Sequence, residues 1–241
     1  MSTYVLVHGA WHGSWCWEPV ATRLRQSGHK VTAVDLPGRA GDTTPHRDIT
    51  LEMHADAVRK AIETASEPVV LVGHSMGGIV ISETAERCTE DIRSLVYVCA
   101  FLLRDGQSLF DMAQADTASL VTPNLVADFA QGSATLKAGA PLKEMFYGHC
   151  PDADAVRALA MLGPEPLPPL GSPVRTTSAR FGKIPRAYVE CLRDKAITPA
   201  AQRQMISATG VDRVLAIDTD HSPFFSEPAT LAVHLASLSQ P

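Results

Sequence analysis

Val69-Val70-Leu71-Val72-Gly73-His74-Ser75-Met76-Gly77-Gly78 carries an unbroken aliphatic run into a serine set between glycines. A short run without polar alternation reads as a strand buried on both faces. Residues 76–88 are helix-compatible, so the serine falls on the turn between strand and helix. A side chain on so sharp a turn needs glycine on either side, because a Cβ there collides with neighbouring backbone. The helix that follows aims its first N–H groups at any anion forming beside the serine. Ser75 is the candidate nucleophile.

Similar β-rich runs occur at 3–7, 31–34, 95–100, 187–191 and 214–217. Helix-compatible stretches lie at 19–27, 51–65, 199–208 and 228–238. Strands alternating with helices predict an α/β protein with a mostly parallel sheet of about six strands flanked by helices. The rhythm stops after Phe101. Residues 102–182 show helical stretches near 108–115, 121–130 and 153–162 and no convincing strand. Gly163-Pro164-Glu165-Pro166-Leu167-Pro168-Pro169 cannot form a regular helix. The two strands and two helices after it are too few to fold alone. The expectation is therefore one structural unit, with 1–101 and 183–241 as the core and 102–182 as a helical cap insertion.

A serine hydroxyl needs a base, and the base needs an orienting acid. Of nine histidines, His221 follows the last strand, in Asp218-Thr219-Asp220-His221-Ser222-Pro223, where strand-end loops gather. Asp194 follows the strand at 187–191 and lies between Ser75 and His221, in the chain order nucleophile, acid, base. Asp218 and Asp220 remain alternatives, although a neighbour so close along the chain rarely reaches back to the imidazole Nδ1. Arg193 and Lys195 read as surface charges. The loop Val7-His8-Gly9-Ala10-Trp11-His12-Gly13-Ser14-Trp15 follows the first strand. It can set the Ala10 N–H opposite the Met76 N–H as a two-donor oxyanion hole. His8 and His12 are spaced i,i+4 without helix context or an intervening Glu, so they shape the loop and do not bind metal.

Composition narrows the function classes. Apolar residues make up 45% and charged residues 20% of the 241, an ordinary globule that buries a sizeable core. A net charge of −5 with no basic run excludes a nucleic-acid binder. The longest apolar run, 95–103, is far short of the roughly 20 residues that span a bilayer. The first residues lack a basic leader, and five cysteines without a Cys-x-x-Cys pair predict neither a disulfide framework nor a zinc site. Both point to a reducing cytoplasm. No Gly-x-Gly-x-x-Gly or Gly-Lys-Ser/Thr motif supports a nucleotide cofactor.

Five segments together resemble the α/β-hydrolase superfamily, in its methylesterase and hydroxynitrile-lyase branch with bacterial esterase relatives. They are His8-Gly9-Ala10-Trp11-His12-Gly13-Ser14-Trp15-Cys16-Trp17, Gly73-His74-Ser75-Met76-Gly77-Gly78, Phe146-Tyr147, Cys191-Leu192-Arg193-Asp194-Lys195-Ala196-Ile197 and Asp220-His221-Ser222-Pro223. Phe146-Tyr147-Gly148-His149-Cys150 departs from the Phe-Tyr-Asn-Asp-Cys common in plant members. The resemblance implies a cap-covered apolar pocket, a small-molecule ester substrate, no cofactor and often a homodimer. It also implies Ala10 and Met76 as backbone oxyanion donors. The expected activity is a serine carboxylesterase acting on small apolar or aryl esters through an acyl-enzyme. The alternatives are a hydroxynitrile-lyase-like C–C lyase and a non-catalytic ligand receptor of the same fold. Lyases of this branch place Thr after the first-strand His and Lys after the catalytic His, where this chain has Gly9 and Ser222. Relatives that are epoxide hydrolases or dehalogenases carry an aspartate at the elbow, where this chain has Ser75.

Overall fold

The aliphatic runs assemble into one parallel sheet in the computed structural model, which describes residues 1–39 and 41–238. In chain order, β1 (Thr3–Val7), α1 (Glu18–Gln26), β2 (Lys30–Val34), α2 (Leu51–Glu63), β3 (Val69–His74), α3 (Gly77–Arg87) and β4 (Ile92–Val98) come first. An excursion follows, with α4 (Leu109–Ala115), β5 (Leu125–Asp128), β6 (Ser133–Leu136), α5 (Leu142–Phe146), α6 (Asp152–Met161), β7 (Glu165–Pro166) and α7 (Leu167–Gly171). The chain then returns through β8 (Arg186–Cys191), α8 (Pro199–Thr209), β9 (Arg213–Ile217), α9 (Pro223–Ser226) and α10 (Pro228–Leu238).

The large sheet has the order β2-β1-β3-β4-β8-β9, and every neighbouring pair in it is parallel. Every residue of β1 and β3 is buried, as their unbroken apolar runs require, whereas the edge strands β2 and β9 are partly exposed. From β1 the chain steps to β2 on one side and to β3 on the other. That reversal opens a crevice at the carboxyl ends of β1 and β3, the place where α/β sheets hold their ligands. The two loops with the strongest sequence signals, 8–15 and 73–78, leave the sheet at those two ends.

The six expected core strands and their flanking helices are present, but the excursion differs from its reading. It was expected to hold no strand, yet it contains an antiparallel sheet of order β5-β6-β7. The expected helix at 121–130 is a short 3-10 turn at Thr122–Asn124 running into β5. Four residues give too little alternation to show a period of two, so the apolar spacing passes for helical. The turn into β6 is set locally: Asp128 Oδ1 accepts from the amides of Ala130 and Gln131, and Gly132 takes φ +65°. The proline-rich stretch also holds regular structure. Pro166 sits in the two-residue strand β7, and α7 carries Pro168 and Pro169 in its first turn, where a helix needs no internal N–H donors.

The junction of β3 and α3 leaves no room at Gly78, where a Cβ would stand 2.3 Å from the Phe101 carbonyl oxygen. Gly78→Ala is therefore expected to lose about 1–3 kcal/mol of stability through overpacking against backbone. A urea melt with an unchanged midpoint would contradict this close approach.

Candidate active site

Ser75 takes φ +52°, a left-handed conformation that few non-glycine residues adopt. Its N–H donates to the Val98 carbonyl at 3.3 Å, and its carbonyl accepts from the Gly78 and Phe101 amides at 3.0 Å each. These bonds turn the side chain out of the sheet at the end of β3.

The loop after β9 brings His221 to the same cavity as Ser75. His221 Nδ1 donates to Asp194 Oδ2 at 2.7 Å, and both side chains are buried. Because Nδ1 carries the proton, the neutral ring keeps its lone pair on Nε2. Asp194 Oδ1 accepts from the Ala196 and Ile197 amides at 2.7 and 2.9 Å. Gln202 Nε2 approaches Asp194 Oδ2 at 3.3 Å and also donates to the Cys191 and Ile197 carbonyls. These donors occupy the lone pairs that a buried carboxylate must satisfy. Gln202 lies on α8, outside every recognisable motif, and only its position three-dimensionally beside Asp194 reveals it.

The two alternative acids are engaged elsewhere. Asp218 is exposed and pairs with Arg193. Asp220 is buried, but it accepts from the amides of Ser222 and His149, the Ser226 hydroxyl and the Cys150 thiol. It ties the His221 loop to the excursion. Lys195 pairs with Glu144 at the surface.

The loop after β1 is held by its own histidines. His8 Nδ1 donates to the Gly9 carbonyl, while its Nε2 accepts from the Leu36 amide. His12 Nδ1 donates to the Ala10 carbonyl, and its Nε2 accepts from the Tyr147 hydroxyl at 2.7 Å. Burial pushes both rings down to about 3, so they stay neutral near pH 7. Ala10 and Met76 border the cavity beside Ser75. Trp11 takes φ +62°, and its N–H donates to Glu165 Oε2 at 2.8 Å. Glu165 pairs in turn with Arg39, and sequence reading singled out neither residue.

The cavity holds about 280 Å³, and no Lys, Arg, Asp or Glu is among its described lining residues. Trp11, Phe101, Phe110 and Phe146 supply its aromatic wall. Several apolar excursion residues reach the cavity, Phe110 and Phe146 among them, whereas Met145 is core and Phe129 is exposed. A larger open groove of about 1080 Å³ is bordered by Asp194 and Asp220, but its Lys143, Arg193 and Lys195 are all ion-paired. His74, Cys99 and His221 bring donor atoms within 4.8 Å of one another. His74 Nε2 and the Cys99 thiol both donate to the His221 carbonyl, and burial pushes the thiol well above its usual range. A protonated thiol and a hydrogen-bonded ring fit a packed support for His221 better than a coordination shell.

The model described as "Alpha/beta hydrolase family" matches residues 4–233, and the chain belongs to that family. Within it the chain falls in the methylesterase branch, whose members here are named methylesterases and esterases. It is 32% identical over 254 residues to methylesterase 9 of Arabidopsis thaliana, covering 99% of this chain and 98% of that one. It is 31% identical over 251 residues to methylesterase 2 of the same plant, covering 98% and 95% respectively. The crystal structure of polyneuridine aldehyde esterase matches with a TM-score of 0.88 at 25% identity, covering 100% of both chains. Among the described residues no helix is long and apolar enough to cross a membrane.

The buried rings make stability depend on pH. His8 and His12 protonate only near about 3 and His54 near about 4, because burial opposes their charge. Unfolded histidines take up a proton near 6.5, so between these values the unfolded chain holds more protons and stability falls as pH drops. Each ring contributes up to about 1.4 kcal/mol per pH unit in that window. Urea midpoints at pH 5 should lie clearly below those at pH 7.5; equal midpoints would contradict neutral burial of these rings.

Proposed function

We propose that the chain hydrolyses small, neutral, apolar or aryl carboxylic esters through an acyl-enzyme on Ser75. One arrangement carries this reading: Ser75 at a strained turn shares an apolar cavity with His221, whose Nδ1 proton is committed to Asp194. His221 Nε2 takes the Ser75 proton as Oγ attacks the ester carbonyl, and Asp194 stabilises the imidazolium. The Ala10 and Met76 amides hold the tetrahedral oxyanion. The imidazolium then protonates the departing alcohol, and water attacks the acyl-serine with the same base. Residues 102–182 act as the cap over this cavity, since Leu109, Phe110, Leu125, Phe146 and Leu170 line it. The absence of charge among the described lining residues favours neutral substrates, because a charged group would be desolvated there without a partner. Five unpaired cysteines fit a reducing, cytoplasmic site of action.

A lyase needs a cation near the leaving cyanide and, by the resemblance, a threonine at position 9. A Cβ on Gly9 would stand 2.7 Å from Ser75 Cβ, so a side chain there displaces the nucleophile. Ser222 carries no charge, and the described lining contains no Lys or Arg. A receptor role is separated from an enzyme by turnover itself.

A panel of p-nitrophenyl esters of increasing acyl length tests the reading. Short neutral esters should be hydrolysed, Ser75→Ala should lose about 10³-fold or more, and mandelonitrile should not be cleaved above the buffer rate. Turnover that survives Ser75→Ala, or cyanide release that vanishes with it, defeats the proposal.

Asp194→Asn should fold normally yet lose about 10⁴-fold in kcat, because the amide favours the wrong imidazole tautomer. Asp218→Asn should be near neutral, since its pair with Arg193 is exposed. Comparable damage from Asp218→Asn would shift the role of acid away from Asp194.

A further inference from the structure

We propose that Glu165, oriented by Arg39, is a positioning residue that locks the oxyanion loop from the excursion side; this rests on Ala10 being an oxyanion donor. Trp11 follows Ala10 directly and has φ +62° without being glycine. Such a conformation is strained and persists only where the surroundings over-determine it. Three hydrogen bonds do so, all from the excursion. The Trp11 N–H donates to Glu165 Oε2, its carbonyl accepts from the Gly163 amide at 3.0 Å, and its indole Nε1 donates to the Ala134 carbonyl at 3.0 Å.

Two successive peptide groups are thereby fixed. The Gly9–Ala10 peptide is held at its carbonyl by His8. The Ala10–Trp11 peptide is held at its carbonyl by His12 and at its N–H by Glu165. With the planes on both sides of the Ala10 Cα set, the Ala10 N–H has one direction left to point. At the far end of the loop, Asp35 accepts from both the amide and the hydroxyl of Ser14.

The pair itself is poorly suited to mere stabilisation. Glu165 is 1% exposed and the Arg39 side chain 9% exposed, and a buried ion pair is often no better than apolar side chains of the same volume. Arg39, from the loop after β2, pairs with the carboxylate and also holds the Pro164 carbonyl. It thereby anchors β7 to the core with Oε2 facing the Trp11 amide. A donor displaced by about 1 Å from the oxyanion can lose about 10²-fold in rate. Docking of the excursion and assembly of the oxyanion hole become one event.

The test compares R39M/E165Q with R39M/E165L. Both remove the buried charges, but only glutamine keeps an acceptor for the Trp11 amide. R39M/E165L should show kcat about 10-fold or more below R39M/E165Q with KM unchanged. Affinity for a trifluoromethyl ketone, which needs the oxyanion hole, should fall in parallel. Affinity for a matching secondary alcohol, which needs only the cavity, should not. Should R39M/E165L fail to fold, E165D serves: it keeps a carboxylate for Arg39 but withdraws it from the Trp11 amide, and the same loss is expected. Equal kcat and equal ketone affinity within the pair that folds would overturn the proposal. Ser75→Ala distinguishes the two levels. If it retains turnover, the esterase mechanism fails; if it is inactive while the Glu165 variants match their references, only this inference fails.

Discussion

The hydrogen bond from His221 Nδ1 to Asp194 Oδ2, made in a buried setting, is the interaction around which the rest of the site is arranged. It fixes which nitrogen carries the proton, and so which nitrogen is left to work. Its acceptor is held by two backbone amides and by Gln202 from α8, and its donor loop is tied down through Asp220. The carbonyl of His221 is fixed as well, by His74 from the residue before Ser75. The proposed base and nucleophile are thus linked through backbone and imidazole even before substrate enters.

The site lies where it does because of sheet topology. The chain leaves β1 toward β2 on one side and β3 on the other, so the loops after β1 and β3 face each other across the crevice. Both loops adopt conformations unfavourable for their residues, at Trp11 and Ser75, and both are held by several hydrogen bonds. The buried histidines serve as neutral brackets in this framework. Each of His8 and His12 uses one nitrogen as donor and the other as acceptor, which an imidazolium could not do. The same burial that keeps them neutral ties the integrity of the loop to pH.

Much of this was legible in the sequence because its causes are local. Unbroken Val and Leu runs mark buried parallel strands, and glycines around Ser75 mark a sharp turn, whatever the remainder of the chain does. Chain order and strand ends single out Asp194 and His221, which the structure joins by a hydrogen bond. What could not be read is either too short to show a pattern or non-local. β5 and β6 pair across a short turn, and four residues are too few to display a period of two. Glu165 sits among prolines that look like a linker, yet it reaches Trp11, 154 positions away. Arg39 and Gln202 belong to no motif and acquire meaning only from the groups they meet. A proline run looks like a break in structure, although prolines also suit an edge strand and a first helical turn, where Pro166 and Pro168–Pro169 lie.

The central claim is that chemistry passes through a covalent ester on Ser75, assisted by His221. Rapid-quench mass spectrometry of the enzyme turning over p-nitrophenyl trimethylacetate, whose hindered acyl group leaves slowly, tests it most directly. The account predicts the mass of one acyl group added per chain, mapped to the peptide containing Ser75 and formed as p-nitrophenol is released. Turnover with no acylated chain, or an acyl group mapped to another residue, would contradict it.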